Sequence, residues 1–581
     1  MSSTAATKKW RRMRGLYAGL AVCFAGVALA SSVLPGAGPS TLRGAGAQQP
    51  AAPFADTILV NGKILSADAR FTIHEALAIR DDQIVAIGYT RDVRAKADPR
   101  TRIIDLGGRT VIPGLTDSHI HAIRAGLSFA TEVHWIGAPT LASALDRLRE
   151  AAKNRPRGSW LIVAGGWTER QFAEKRRPTQ AELVAAVPDN PVYVQLGYQW
   201  GLMTPRAIAE LKIARDEDLP AGGRLERDAA GMPTGAVAGP QQAIVALFER
   251  LPKPTSEQKL AGTKAFFREL NRLGLTGVID PGGNNLTAAD YESLFEVWGK
   301  NELTLRVAFS MGSQGNGNEY DELTEAVLKL PMGIGDNMLR FNGVGERITG
   351  GMYNNDKPAA ADKEAFEKIA LWVAQRGLTL TVHWGNDASV GQLLEVFGRI
   401  NSQIPIAPLR WSIAHLNDAS IETLARMKAL GVGWAMQDAM YFSGDATIRQ
   451  RGPAARRMPP IETARKLGVV VGAGTDAHRV ASYNPFTCLQ WILDGRTVDG
   501  VAMRSADEIP SRADALRLYT TGSAWFAHAD DRRGSLEVGK LADLAVLSKD
   551  YNTVPIAQIG TIESLLTMVS GRIVYSAAPF K

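Results

Sequence analysis

Histidine is scarce in this chain, eight residues in 581, and four of the eight stand at or just past the ends of short apolar runs. His119 and His121 lie in Pro113-Gly114-Leu115-Thr116-Asp117-Ser118-His119-Ile120-His121. Residues two apart in an extended segment point to the same side, so the two imidazoles can converge on one cation. His383 closes the run Leu378–Val382, His415 closes Trp411–Ala414, and Asp476 follows Gly472-Ala473-Gly474-Thr475. A lone histidine is more often a packed or surface residue than a ligand. Five residues of the right types at matching places make a metal site the stronger reading. Imidazole and carboxylate suit Zn2+ first, and Fe2+, Mn2+ or Co2+ as well, so one or two divalent ions are expected. A cation in such a site lowers the pKa of a bound water to roughly 7, and a carboxylate beside it can take the proton. Asp476 is the candidate for that catalytic role as well as for ligation.

These residues need a scaffold that gathers strand ends. Eight strand-like runs are present: Val111–Leu115, Thr276–Ile279, Leu303–Phe309, Leu339–Val344, Leu378–Val382, Trp411–Ala414, Val432–Ala435 and Val469–Ala473. Between them lie stretches such as Lys363–Arg376 and Ser389–Ile400, whose apolar residues recur at helical spacing. Eight strand–helix units predict an α/β fold, a (β/α)8 TIM-like barrel over 113–519 with its site at the C-terminal strand ends. The long gap after the first strand holds strand-like Trp160–Ala164 and Val192–Gln195, so 127–259 is expected to be an inserted subdomain. Short β-runs near both ends, Thr57–Val60 and Gln83–Gly88 at one and Leu544–Leu547 and Leu566–Val569 at the other, predict a small β-sandwich built from 55–112 and 520–581.

The net charge of +7 is misleading about partners. Residues 1–47 carry Lys8, Lys9, Arg11, Arg12, Arg14 and Arg43 and no acid, so without those six charges the remainder stands at +1. Nucleic-acid binding loses its electrostatic support. The basic run Lys8–Arg14, the apolar run Gly15–Leu34 and the small residues after it form an export signal, with Ala28-Leu29-Ala30 and Ala45-Gly46-Ala47 as cleavage sites. Residues 1–47 are therefore assigned to a signal peptide and linker, and the product to the periplasm, Arg11-Arg12 pointing to the twin-arginine route. An uncleaved membrane anchor is the alternative, because the apolar run nears the ~20 residues of a span. A cleaved chain would have no membrane span, and a homo-oligomer is open to it. Cys23 leaves with the signal and Cys488 stands alone, so neither disulfides nor a cysteine metal site are expected.

The pattern Pro-Gly-Leu-x-Asp-x-His-x-His, then His, His and Gly-Thr-Asp, resembles the amidohydrolase superfamily. The tail Gly534-Ser535-Leu536-Glu537-Val538-Gly539-Lys540-Leu541-Ala542-Asp543-Leu544 is similar to that family's return into its small β-domain. Gly165-Gly166-Trp167, Pro178, Asp189-Asn190-Pro191-Val192 and Pro233-Thr234-Gly235 resemble the amidohydrolase-3-type branch that includes N-substituted formamide deformylase. The resemblance runs from about residue 55 to 577 and implies hydrolysis of an amide-type C–N bond of a small molecule. Two departures stand out. Where two-metal members carry a carboxylated lysine ending strand four, this chain reads Gly343-Val344-Gly345-Glu346-Arg347. Glu346 is the candidate metal bridge, against a simple pairing with a base such as Arg347. It lies one place past the expected lysine position, which in a regular strand turns it to the wrong face unless a bulge intervenes. Where the branch has a histidine after its Pro-Val strand, this chain has Tyr198-Gln199-Trp200, so formamide specificity does not carry over.

The remaining candidates are weaker. Trp167, Trp384 and His478 are candidate substrate contacts, with packing or a solvent loop as the alternative. Asp387 reads as a helix N-cap, His134 as a surface residue, and His74 and His528 as structural. Two rival functions remain: a deaminase or cyclic-amide hydrolase of the same superfamily, and a non-catalytic metal- or ligand-binding barrel.

Overall fold

A computed structural model describes residues 54–283, 286–315 and 317–581. The expected export signal and its two candidate cleavage sites lie outside the described residues. Among these, no helix is long and apolar enough to cross a membrane.

Eight parallel strands form the centre. They are β1 (Leu115–Asp117), β2 (Leu275–Asp280), β3 (Arg306–Met311), β4 (Leu339–Val344), β5 (Thr381–Trp384), β6 (Ser412–His415), β7 (Gly433–Gln437) and β8 (Val471–Gly474). They run in two four-stranded sheets, ordered β4-β3-β2-β1 and β5-β6-β7-β8. A parallel bridge from Val344 to Leu380 joins one pair of edges, and the Ser118 N–H donates to Ala473 O at 3.0 Å between the other pair. Helices follow the strands, and their buried faces show the helical period. In Ala360–Gln375 the buried positions are Phe366, Ile369, Ala370, Val373 and Ala374, which lie on one stripe of the cylinder. One continuous apolar cluster links these helices to the strands.

The first expected strand is corrected. Val111–Leu115 does not run as one unit: Thr110–Pro113 pairs antiparallel with Leu544–Leu547, and only Leu115–Asp117 joins β2. Gly114 is the hand-over point, its N–H donating to Asp543 O at 2.8 Å while Leu115 N donates to Gly274 O at 3.1 Å. Thr110–Pro113 belongs to a six-stranded sheet that mixes strands from both ends of the chain. A four-stranded sheet containing Thr57–Val60 faces it, and Leu59, Leu77 and Ile104 of one join Val111, Val546 and Met568 of the other in a single apolar cluster. Asp543 ties this region to β3: its carboxylate accepts two bonds from the buried Arg306 guanidinium, at 2.6 and 2.9 Å.

Between β1 and β2 the chain forms a five-stranded sheet from Leu161–Val163 to Pro233–Ala238 with apolar clusters of its own. A helix, Gln241–Phe248, closes this stretch. Its buried side carries Ala243, Ile244 and Leu247, leaving Gln241, Val245 and Phe248 on the other face.

Candidate metal centre

The two histidines after β1 are positioned by backbone and acids behind them. Asp117, buried at the end of β1, accepts from His119 N at 3.0 Å, Thr475 N at 3.2 Å and Thr475 Oγ1 at 2.7 Å, clamping the β1 loop to the β8 loop. Burial raises its carboxyl to about 7 against those three donors. Asp476 N donates to His119 O at 2.7 Å. The loops are this close because Gly474 has no side chain: a Cβ there would lie 2.6 Å from His119 N and 2.7 Å from the Asp117 carboxylate. His121 is oriented by a second device. Its Nδ1–H donates to Gly282 O at 2.7 Å, while Asp280 at the end of β2 accepts from Gly282 N and Ile123 N. That fixes the tautomer and turns Nε2 with its lone pair to the site.

Glu346 stands at the middle of the cluster. Its Oε2 lies 3.0 Å from His383 Nδ1 and 3.4 Å from both His119 Nε2 and His415 Nε2, and its Oε1 lies 3.3 Å from His121 Nε2. Regular alternation would have turned it away. The pairing of β3 with β4 slips, Phe309 facing Phe341 but Met311 facing Val344, so β4 holds one residue more than its partner. Gly343 takes up the slip at φ +96, and a Cβ there would lie 2.2 Å from Thr379 O. The extra residue brings Glu346 to the inward side.

Asp476 approaches from the β8 loop, Oδ1 at 3.1 Å from His121 Nε2 and 3.6 Å from His119 Nε2, and Oδ2 at 3.8 Å from His415 Nδ1. His415 Nε2 and His383 Nδ1 are 2.8 Å apart. His415 and Asp476 both hold left-handed backbone, φ 67 and φ 54, a conformation costing a non-glycine residue on the order of 1 kcal/mol or more. Such strain concentrates where side-chain direction matters more than backbone comfort.

The donors fit a cation. His119, His121 and Glu346, then His119, His415 and Asp476, then Glu346, His383 and His415 form three overlapping sets whose ligand atoms fall within 4.8 Å of one another. His119 is fully buried with neither ring nitrogen hydrogen-bonded. Burial lowers its pKa despite Asp476 and Glu346 nearby, which favours the neutral ring that metals bind. Burial alone would push both carboxyls up, yet the surrounding imidazoles hold Glu346 and Asp476 below the ordinary carboxylate range. Their charge raises His121 to about 10 against the effects of burial and Arg124. The cluster therefore draws positive charge into itself.

The six ligand candidates named from sequence are thus together. The substrate candidates are not. Trp167 packs against Trp135 and Phe172 and donates its Nε1–H to Gln195 O at 2.8 Å, inside the core of the five-stranded sheet. Trp384 is 1% exposed and belongs to the main core: adjacent strand residues face opposite sides, so with His383 inward Trp384 must face out. His478 is buried against Glu132, Nε2 to Oε2 at 2.8 Å, rather than in a solvent loop. Asp387 is not the N-cap. Asn386 is, accepting from Ser389 N at 2.9 Å, while Asp387 accepts from Ser420 N across the neighbouring loop. His134 is largely enclosed, its Nε2–H donating to Phe129 O at 2.9 Å. Sequence reading missed Asp280, an acid ending a strand, and Tyr353, which stacks on His383 at 4.6 Å from a loop without periodicity.

The amidohydrolase family model matches residues 102–575, most of the chain and the whole of this cluster. The chain belongs to the amidohydrolase family. It is a metal-dependent hydrolase acting on carbon–nitrogen bonds other than peptide bonds. Its similarity to N-substituted formamide deformylase of Arthrobacter pascens is 24% identity over 543 residues, covering 90% of this chain and 98% of that protein. Similarity at 24% identity also extends to the protein LONG AFTER FAR-RED 3 of Arabidopsis thaliana, covering 86% of this chain and 88% of that one. Among solved structures, a metal-dependent hydrolase from Pyrococcus horikoshii superposes with a TM-score of 0.63 at 19% identity, covering 86% of this amidohydrolase and 99% of that chain. Two relatives at equal identity with such different names show that family membership leaves the substrate open.

Proposed function

We propose that this amidohydrolase cleaves an amide-type C–N bond of a small molecule. His119, His121, His383, His415 and Asp476 would hold one or two divalent cations, Zn2+ first, with Glu346 shared between two positions. The observation that supports this most directly is the meeting of Glu346 and Asp476 with four imidazoles, among them a buried His119 whose ring nitrogens make no hydrogen bond. Bound there, a divalent ion supplies Lewis acidity toward a carbonyl and lowers the pKa of water to roughly 7. The chain's own contribution is proton handling. Asp476, 14% exposed and the most accessible of the two carboxylates, accepts the proton of the attacking water and returns it to the leaving nitrogen. Asp117 and Asp280 keep the loops that carry the ligands in place.

The scaffold reading is that β1–β8 close into one barrel, supported by the Val344–Leu380 bridge and the Ser118–Ala473 hydrogen bond. The two sheets sharing one apolar cluster support a composite β-sandwich of the two ends, and the five-stranded sheet supports an inserted subdomain within 127–259. The test is metal quantitation on protein purified without chelator, joined to a panel of N-acyl amines, N-acyl amino acids and cyclic amides. Stoichiometric metal and hydrolysis of at least one amide are expected. Absence of metal, or ammonia release from heterocycles alone, would overturn the reading.

A further inference from the structure

We propose that the substrate of this hydrolase carries a carboxylate, received by Arg124 in the cavity beside the metal centre. The inference rests on the amide-hydrolase reading and adds the substrate's charge to it. Arg124 lies three residues past His121, on the helix Ala122–Ser128. Among the described residues its guanidinium makes no hydrogen bond and no ion pair, and its Nε is sealed from solvent with no partner. The guanidinium is half-buried, with acids facing it but none bonded to it, so its donors are free for an anion that arrives.

The cavity it lines, about 390 Å3, is bordered by Leu127, Tyr198, Val245, Phe248 and Leu286. Its other cations are already matched: Arg479 to Glu132 at 2.8 Å, Lys253 to Glu249 at 2.6 Å and Lys259 to Asp290 at 3.3 Å. Gly283 stands between the cavity wall and His121: a Cβ there would lie 3.2 Å from His121 Nδ1 and 3.7 Å from Leu286. A second cavity of 370 Å3 shares Gln241, Val245 and Glu249 with the first and includes Tyr353, the ring stacked on His383. The helix Gln241–Phe248 therefore roofs space beside both halves of the ligand set. The acids facing Arg124 across the site, Asp476, Glu346 and Asp280, are engaged by imidazoles or backbone N–H groups. An amide placed at the centre would lay its apolar body along Leu127, Val245 and Phe248 and its carboxylate against Arg124, whose planar fork suits that group. Tyr198, standing where the formamide-cleaving branch has histidine, lines the same wall.

Calorimetry on the metal-loaded enzyme tests this with paired probes of graded length, from acetate and acetamide to 3-phenylpropionate and 3-phenylpropionamide. The expected result is that at least one carboxylate binds 10-fold or more tightly than its amide, that Arg124→Gln erases the difference while leaving metal content and amide binding unchanged, and that Arg124→Lys keeps most of it. If no carboxylate outbinds its amide, or if the preference survives Arg124→Gln, the carboxylate sits elsewhere and the inference falls. The amide-hydrolase reading fails separately, if the loaded enzyme hydrolyses neither neutral nor anionic amides.

Discussion

Two buried clusters of histidine and carboxylate lie side by side in this molecule, and they are built on opposite principles. In the metal centre four imidazoles surround Glu346 and Asp476, their ligand atoms fall into three overlapping sets, and both ring nitrogens of the buried His119 are left without a hydrogen bond. Two residues past Asp476, His478 and Arg479 meet Glu132, and there each carboxylate oxygen has its own donor, His478 Nε2 at 2.8 Å and Arg479 Nη1 at 2.8 Å. Burial would push Glu132 up, but Arg479 and His478 hold it well below its ordinary value. In the second cluster each imidazole and guanidinium has a carboxylate oxygen to itself, while in the first His119 has no hydrogen-bond partner at either nitrogen. The same residue types therefore mark function or structure according to whether the imidazoles are paired one to one with an acid or gathered several around it.

Removing one side chain from each cluster separates the two most sharply. His119→Ala or Asp476→Ala should lower kcat/KM by a factor on the order of 10^3 or more, with unfolding midpoint changed little; near-wild-type turnover in either would remove that residue from the chemistry. Glu132→Ala should do the reverse. It leaves Arg479 buried without its partner, an effect of about 3–5 kcal/mol in urea unfolding, while the folded protein keeps its metal. If metal is lost and stability holds, the two clusters are one unit.

Glu346→Gln keeps the volume and removes the charge, and should cost at least one metal per chain by elemental analysis. Full metal content with full rate would make Glu346 structural. Because a glutamate needs no carbon dioxide to be anionic, reconstitution should be indifferent to bicarbonate. The smallest effect lies outside both clusters. Burial, with Arg410 and Arg340 beside it, lowers His528 to about 4 from an ordinary 6.5. Between those values the unfolded chain takes the proton and the folded chain does not, so this contribution is present above pH 6.5 and lost as the pH falls toward 4. His528→Gln should flatten stability against pH in that window, and an unchanged slope would refute the assignment.

The ligand types, their order along the chain and the strand ends that carry them follow from the sequence, because alternation and strand–helix periodicity are local. The His119–His121 spacing and the Gly-Thr-Asp after β8 needed nothing else. The direction of Glu346 was not local. It depends on how β4 pairs with β3, where the slipped register and Gly343 turn a residue of the wrong parity inward. Nor could spacing distinguish Trp167 and Trp384 as packing residues from pocket walls, since a tryptophan's role is set by which elements close over it. Asp280 and Arg124 were silent for the same reason. The acid's partners lie in another loop, and the arginine is noticed only because the folded chain brings it no partner, and such balances exist only once distant segments meet.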